Sequence, residues 1–300
     1  MTLVLNNHYL ALLKQIHLYT ISLDQMRVYS KILVQTLTPK EIKYANSYAF
    51  NHLTENYIIS RSLLRHILSH YIGIPANALE FQLGPYGKPY ITSSQNKMHN
   101  LKFNLSHAKD MLCIAVTKNT EVGIDVEFRD NKRSIQSLYS MVLTKQEQEY
   151  INSLNSVSVK LDFFYSVWTL KEAIVKALGY GLSYELTKIN LILESVSSRS
   201  KTSKTSAQES RVEDNITSAN NKPKISPFKS CIYFNKQEML SSSFSQDNHR
   251  STTRELQDKQ CILHLSHNPI ALDQQYSMAL ALSTEPKDIK HCDFIDLPHY

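Results

Sequence analysis

The chain has 300 residues, of which 42% are hydrophobic and 20% charged, the composition of a globular protein with a substantial core rather than of a fibrous or disordered one. Its formal charge of +6 is uneven: residues 195–260 hold eleven Lys/Arg against seven Asp/Glu, which leaves +2 for the rest and gives a nucleic-acid surface little support. Four cysteines scattered without a Cys-x-x-Cys pair exclude a zinc module and a disulfide framework, and no stretch reaches the roughly 20 apolar residues of a membrane span. The N-terminal residues lack the basic and unbroken apolar regions of a leader, so the expected location is cytoplasmic, with no membrane and no nucleic-acid partner.

Alternating apolar residues predict a strand over 15–23, and Asp24-Gln25 opens a helical run through 37. Thr38-Pro39-Lys40-Glu41 then has the form of a helix start, with Thr38 as N-cap, Pro39 in the first position and Glu41 as the reciprocal acid. A helix over 55–71 follows, stopped by Gly73-Ile74-Pro75; it points Arg61 away from its apolar stripe, and Arg65 reads as an ordinary surface arginine. Short strands at 80–83 and 90–92 flank the turn Gly84-Pro85-Tyr86-Gly87-Lys88-Pro89. Further strands are expected at 102–105, 111–116 and 122–128, and a helix at 135–141. Thr144 and Glu147 then make a second capping box, followed by a long helix over 163–178 and a strand at 189–193.

From residue 195 Ser, Thr, Lys, Asn and Gln dominate. Such a tract buries too little surface to offset its ordering entropy, so 195–225 and 241–260 are expected as insertions, with a strand at 231–234 between them. Strand character returns at 261–265 and 276–282. A faint echo joins the halves: Asn104-Leu105-Ser106-His107 before an apolar strand resembles His264-Leu265-Ser266-His267 before another.

Two segments carry the chemistry. In Val122-Gly123-Ile124-Asp125-Val126-Glu127 strand alternation puts both carboxylates on one face. In Trp168-Thr169-Leu170-Lys171-Glu172-Ala173-Ile174-Val175-Lys176 helical spacing lines up Trp168, Glu172 and Lys176, with Lys171 beside them. Three carboxylates and two lysines able to converge suit a divalent cation such as Mg²⁺ together with a phosphate ester. Taken singly, each has a plainer explanation: a solvated sheet face, and a surface Glu–Lys pair worth about 0.2–0.5 kcal/mol. Trp168 reads as a core anchor.

Together these segments resemble the signature of the 4′-phosphopantetheinyl transferases, a Gly-Ile-Asp-x-Glu strand followed by a Trp-x-x-Lys-Glu-Ala-x-x-Lys helix. Gly179-Tyr180-Gly181-Leu182-Ser183 fits as well, and the match is to the larger, single-chain, Sfp-like branch. It runs from about residue 37 to 193 and resumes near 261. The resemblance implies an α+β fold of two pseudo-symmetric subdomains, here 1–118 and 119–300, with the cleft between them and the polar tract inserted in the second. It implies Asp125, Glu127 and Glu172 as Mg²⁺ ligands, with Glu172 and Lys176 as the catalytic pair. It further implies Arg61, Lys88, Pro89, Ser106, His107 and Lys171 as contacts to coenzyme A, the co-substrate. The activity implied is transfer of 4′-phosphopantetheine to a serine of an apo acyl or peptidyl carrier protein, by a monomer.

Other readings are weaker. Adjacent Ser106 and His107 cannot form a nucleophile–base pair with an orienting third group, so a hydrolase is not indicated. The Gly-rich turn lacks the order of a P-loop. A non-enzymatic binder would lack one of the expected ligands, and all are present. A nucleic-acid binder would need aromatics in the basic tract, which has few.

Overall fold

The structure, a computed structural model, describes residues 12, 15–181, 184–191, 231–234, 261–267, 275–283 and 288–292. The expected insertions at 195–225 and 241–260 lie outside them, as do Leu182 and Ser183. The strand expected between the insertions is present as Cys231–Phe234.

The fold is α+β, four layers deep. Strand β1 (Gln15–Ser22) lies in a sheet with β4 (Leu101–Ala108), β5 (Met111–Lys118) and β10 (Asp288–Cys292), in the order β10-β1-β5-β4. A second sheet has the order β6-β9-β8-β7, from β6 (Val122–Phe128), β7 (Cys231–Phe234), β8 (Cys261–His267) and β9 (Tyr276–Leu282). A small hairpin pairs β2 (Phe81–Leu83) with β3 (Pro89–Ile91).

Alternation along the strands sorts the core. Ile16, Leu18, Cys113 and Ala115 meet Val122, Ile124, Val126, Met278, Leu280 and Leu282 between the sheets. Tyr19, Ile21, Leu112, Ile114 and Val116 face the opposite way, onto helix α2 (Asn51–Ile72), which follows the short helix α1 (Pro39–Ala45). Ala279 and Ala281 turn to helix α4 (Val157–Leu178), which follows α3 (Lys145–Ser153). Each half thus runs strand, 22-residue helix, antiparallel strand pair, and each long helix stops at a glycine with φ of 73°, Gly73 and Gly179. Left-handed backbone there is cheap only without a Cβ. The two-subdomain α+β expectation holds, and the Ser106-His107 and Ser266-His267 segments occupy matching strands, β4 and β8.

Both expected capping boxes form, at Thr38/Glu41 and Thr144/Glu147. Other expectations are corrected. The run after Asp24 is broken into short α and 3-10 turns rather than one helix. The strand expected at 189–193 is absent over its described part: a 3-10 turn, Leu186–Lys188, leads into irregular chain whose Leu191 N–H donates to Glu147. Arg65 is 2% exposed, not a surface residue. Its guanidinium donates to Glu41 and to the carbonyls of Ala76 and Leu79, so it staples α2 to α1 and to the chain before β2. β10 had no counterpart in the expected elements; it crosses from the end of the chain to pair in parallel with β1.

Candidate active site

The site is built where β6, at the edge of its sheet, meets α4 and β4. Val122, Ile124 and Val126 face the core between the sheets, so Gly123, Asp125 and Glu127 turn toward α4. Gly123 allows the approach: a Cβ there would stand 1.9 Å from the Ala173 carbonyl oxygen and 2.4 Å from the Ala177 nitrogen. The glycine of the signature is therefore a requirement of helix-on-strand packing, which spacing alone did not give.

Three side chains meet directly. Lys176 Nζ lies 2.6 Å from Asp125 Oδ1 and 2.8 Å from Ser106 Oγ, and Ser106 donates to the same carboxylate oxygen at 2.9 Å. Asp125 is 3% exposed, and its other oxygen, Oδ2, is buried with no hydrogen-bond partner. Burial pushes the Asp125 carboxyl pKa up, and Lys176 and Ser106 pull against that. Glu127 is pushed up to about 7, chiefly by burial and then by the Asp125 charge, with Glu172 adding to it. Glu172 is raised by burial and by Asp125. The three expected carboxylates therefore share one field, which Lys176, with Arg133 acting on Glu127, does not balance.

Among the described residues no group of three or more His, Cys, Asp or Glu side chains closes a metal site by itself. A hard cation such as Mg²⁺ typically takes one or two carboxylates and completes its shell with water and phosphate. The chemistry of the set fits that demand: an orphaned Asp125 oxygen, with Glu127 and Glu172 held toward protonation by burial and by the Asp125 charge, is short of positive charge.

The remaining expected residues divide. His107 follows Ser106 on β4 but is exposed on the alternate face; its pKa is pushed down by surrounding protein and by Lys176. Pro89 opens β3 and is half-buried. Lys88 is not at the surface: its side chain is 6% exposed and its ammonium is bonded to Glu121, Val122 and Ala177. Arg61 turns to Glu41 at 2.6 Å and lies over the Phe81 ring at 4.2 Å, away from the carboxylates. Lys171, expected at a phosphate, is fully buried and donates to Glu147 and the Val142 carbonyl. One position before Glu172, it is rotated about 100° round the helix, which carries it out of the site. Trp168 packs on the core of the second half and stacks on Tyr165, as an anchor should.

Two contacts were not read from the sequence, although Glu147 was expected as a cap. Asn104 Oδ1 accepts the Ile124 N–H at 3.0 Å, standing in for a backbone ladder between β4 and β6. Glu147 joins Lys171, the Thr144 N–H and the Leu191 N–H. An asparagine inside an otherwise apolar strand was the available signal for the first.

Comparison with known proteins agrees with this geometry. A profile described as the 4′-phosphopantetheinyl transferase superfamily matches residues 121–221, and one described as 4′-phosphopantetheinyl transferase, N-terminal, matches 26–119. The chain is 32% identical over 179 residues to the 4′-phosphopantetheinyl transferase HetI of Nostoc sp., covering 60% of this chain and 74% of that protein. It is 29% identical to the L-aminoadipate-semialdehyde dehydrogenase-phosphopantetheinyl transferases of Mus musculus, over 164 residues, and Homo sapiens, over 168. The match spans 53% and 54% of those two proteins, about half their length, and the same shares of this chain. With both profiles falling on the two halves and the signature strand and helix at their junction, the chain belongs to the 4′-phosphopantetheinyl transferase superfamily, in its Sfp-like branch, a family of transferase enzymes.

Proposed function

We propose that this protein transfers 4′-phosphopantetheine from coenzyme A to a serine of an apo carrier protein and releases adenosine 3′,5′-bisphosphate. The observation that carries this reading is the Asp125–Ser106–Lys176 cluster, with its unmatched carboxylate oxygen beside two further acids. Asp125, Glu127 and Glu172 would hold Mg²⁺, which when bound supplies Lewis-acid stabilisation of diphosphate charge, typically worth several kcal/mol.

The chain's own residues do the rest. Lys176, 25% exposed, can turn one N–H to the diphosphate while keeping Asp125. The Ser106 hydroxyl can turn its one hydrogen from Asp125 to a phosphate oxygen while still accepting from Lys176, His107 beside it on β4 is a second donor, and the backbone near Pro89 meets the nucleotide. The serine oxygen forms a bond to the phosphorus nearer the pantetheine, the bond from that phosphorus to the bridging oxygen breaks, and the bisphosphate leaves with the electron pair. Glu172, raised toward neutrality and half-buried, takes the serine proton directly or through water. One chain suffices for these roles, so a monomer in the cytoplasm is the proposed working form. No helix among the described residues is long and apolar enough to cross a membrane.

Intact-mass spectrometry of apo acyl and peptidyl carrier proteins, incubated with the protein, coenzyme A and Mg²⁺, tests the proposal. A phosphopantetheine-sized gain that EDTA prevents is expected. Coenzyme A binding without any gain would leave a binding module instead.

A further inference from the structure

We propose that Lys88 is a positioning residue of this site, whose buried ammonium ties the start of β6 to the end of α4 and so sets Asp125 against Lys176. The inference rests on the transferase reading above and goes beyond it. Lys88 Nζ donates to the Ala177 carbonyl at 3.1 Å, to the Val122 carbonyl at 3.2 Å and to Glu121 Oε2 at 3.2 Å. An ammonium has three N–H donors, and three acceptors are found here. With the side chain 6% exposed, none of the three is directed at solvent.

The acceptors sit next to the working groups. Ala177 directly follows Lys176, and Val122 precedes Asp125 by three positions, about 10 Å along a strand. Ala177 lies in the last turn of α4, where carbonyls lack intrahelical partners and a cation offsets the negative end of the helix. β6 is an edge strand, so its outer groups also need partners from elsewhere. Glu121 is itself held by Lys102 of β4 at 2.7 Å. One ammonium therefore joins the β2–β3 turn, β4, β6 and α4.

The turn is pressed onto the end of the helix. A Cβ on Gly179 would come 3.2 Å from the Tyr90 hydroxyl and 3.6 Å from Lys88 Cδ, and one on Gly181 would come 2.9 Å from Tyr86 Cβ. Without the ammonium, two carbonyls and a carboxylate would lose a buried partner. The helix end could then move relative to β6, and misplacing a reacting group by 1 Å can cost about 100-fold in rate.

The test uses the 300-residue chain, Lys88→Met and Glu121→Gln, with coenzyme A varied at saturating carrier and backbone hydrogen exchange followed in parallel. For Lys88→Met the expected result is a fall in kcat of about 10–100-fold. KM for coenzyme A should stay within about twofold, and exchange should quicken in the last turn of α4 and in β6. A raised KM with unchanged kcat and exchange would overturn the proposal and make Lys88 a nucleotide contact. If Lys88→Met does not fold, Glu121→Gln decides: a smaller kcat loss at unchanged KM, with faster exchange, supports the tie, and wild-type values in both overturn it. Should the wild type itself transfer nothing, the functional reading fails, while the exchange comparison still judges the tie.

Discussion

Helix α4 carries two lysines five positions apart, each bonded to a carboxylate, and they do opposite things. Lys171 and Glu147 are 0% and 2% exposed, and the carboxylate is filled: Glu147 takes Lys171, the Thr144 N–H and the Leu191 N–H. Lys176 and Asp125 lie at the other face, with the lysine partly open and Asp125 Oδ2 buried without a partner. A sealed pair holds structure, because its groups have nothing left to offer. A pair left with an unmet oxygen, beside two acids that share its field, is equipped to receive a cation and a phosphate.

The sharpest way to break this contrast is Asp125→Ala. Transfer should fall by at least about 10³-fold, since the change removes a proposed cation ligand and the partner of Lys176. The fold should survive, because burial already disfavours the Asp125 carboxylate, and Lys176, 25% exposed, can turn to solvent when it loses that partner. Activity and a thermal melt read the two effects separately; transfer near the wild-type rate at saturating Mg²⁺ would refute the ligand assignment. Lys171→Met should reverse the pattern. Leaving Glu147 charged and buried typically costs about 3–5 kcal/mol of stability, visible in chemical denaturation. Protein that remains folded should keep its KM for coenzyme A, whereas a phosphate contact would raise it.

Gly123→Ala probes the spacing that brings the two elements together. A Cβ 1.9 Å from a helix carbonyl cannot be accommodated unless α4 moves off β6. We expect a loss of about 100-fold in kcat, with a smaller drop in melting temperature than Lys171→Met gives. An active, unshifted Gly123→Ala protein would show that the close approach is dispensable.

These residues also mark what was legible in the sequence. Both capping boxes, the signature strand and helix, and the shared face of Asp125 and Glu127 follow from local spacing, which the fold does not override. Lys171 was misplaced because spacing along a helix does not say which neighbour will cover a flank; α3 and its cap do so from 24 positions away. Arg65 shares the Arg61 stripe, and its burial depends on Glu41 and on carbonyls after α2. β10 is short and polar, and becomes a strand only beside β1. Arg61 and Lys88 carry charge that a sequence assigns to solvent or ligand, while the fold gives each an internal partner.

The smallest expected effect lies in pH, and it tests the unmet charge without any substrate. Glu127 titrates near 7 in the folded protein against an ordinary value of 4.5. Between those values the native state holds a proton that the unfolded chain has released, so the Glu127 contribution to stability is present below about pH 4.5 and is lost as pH rises through 7. A shift of this size in a partly exposed group is worth on the order of 1–3 kcal/mol. His66, His99 and His107 are pushed down and act in the opposite sense, stabilising as pH rises toward 6.5. The measurement is therefore the difference between wild type and Glu127→Gln, melted without metal at pH 5 and pH 8. Wild type should lose ground to the variant at the higher pH, and added Mg²⁺ should restore it in the wild type more than in the variant. Equal pH dependence in the two proteins would mean that Glu127 is shifted neither by burial nor by the field of Asp125 and Glu172, and the contrast between the two lysine pairs would rest on Asp125 alone.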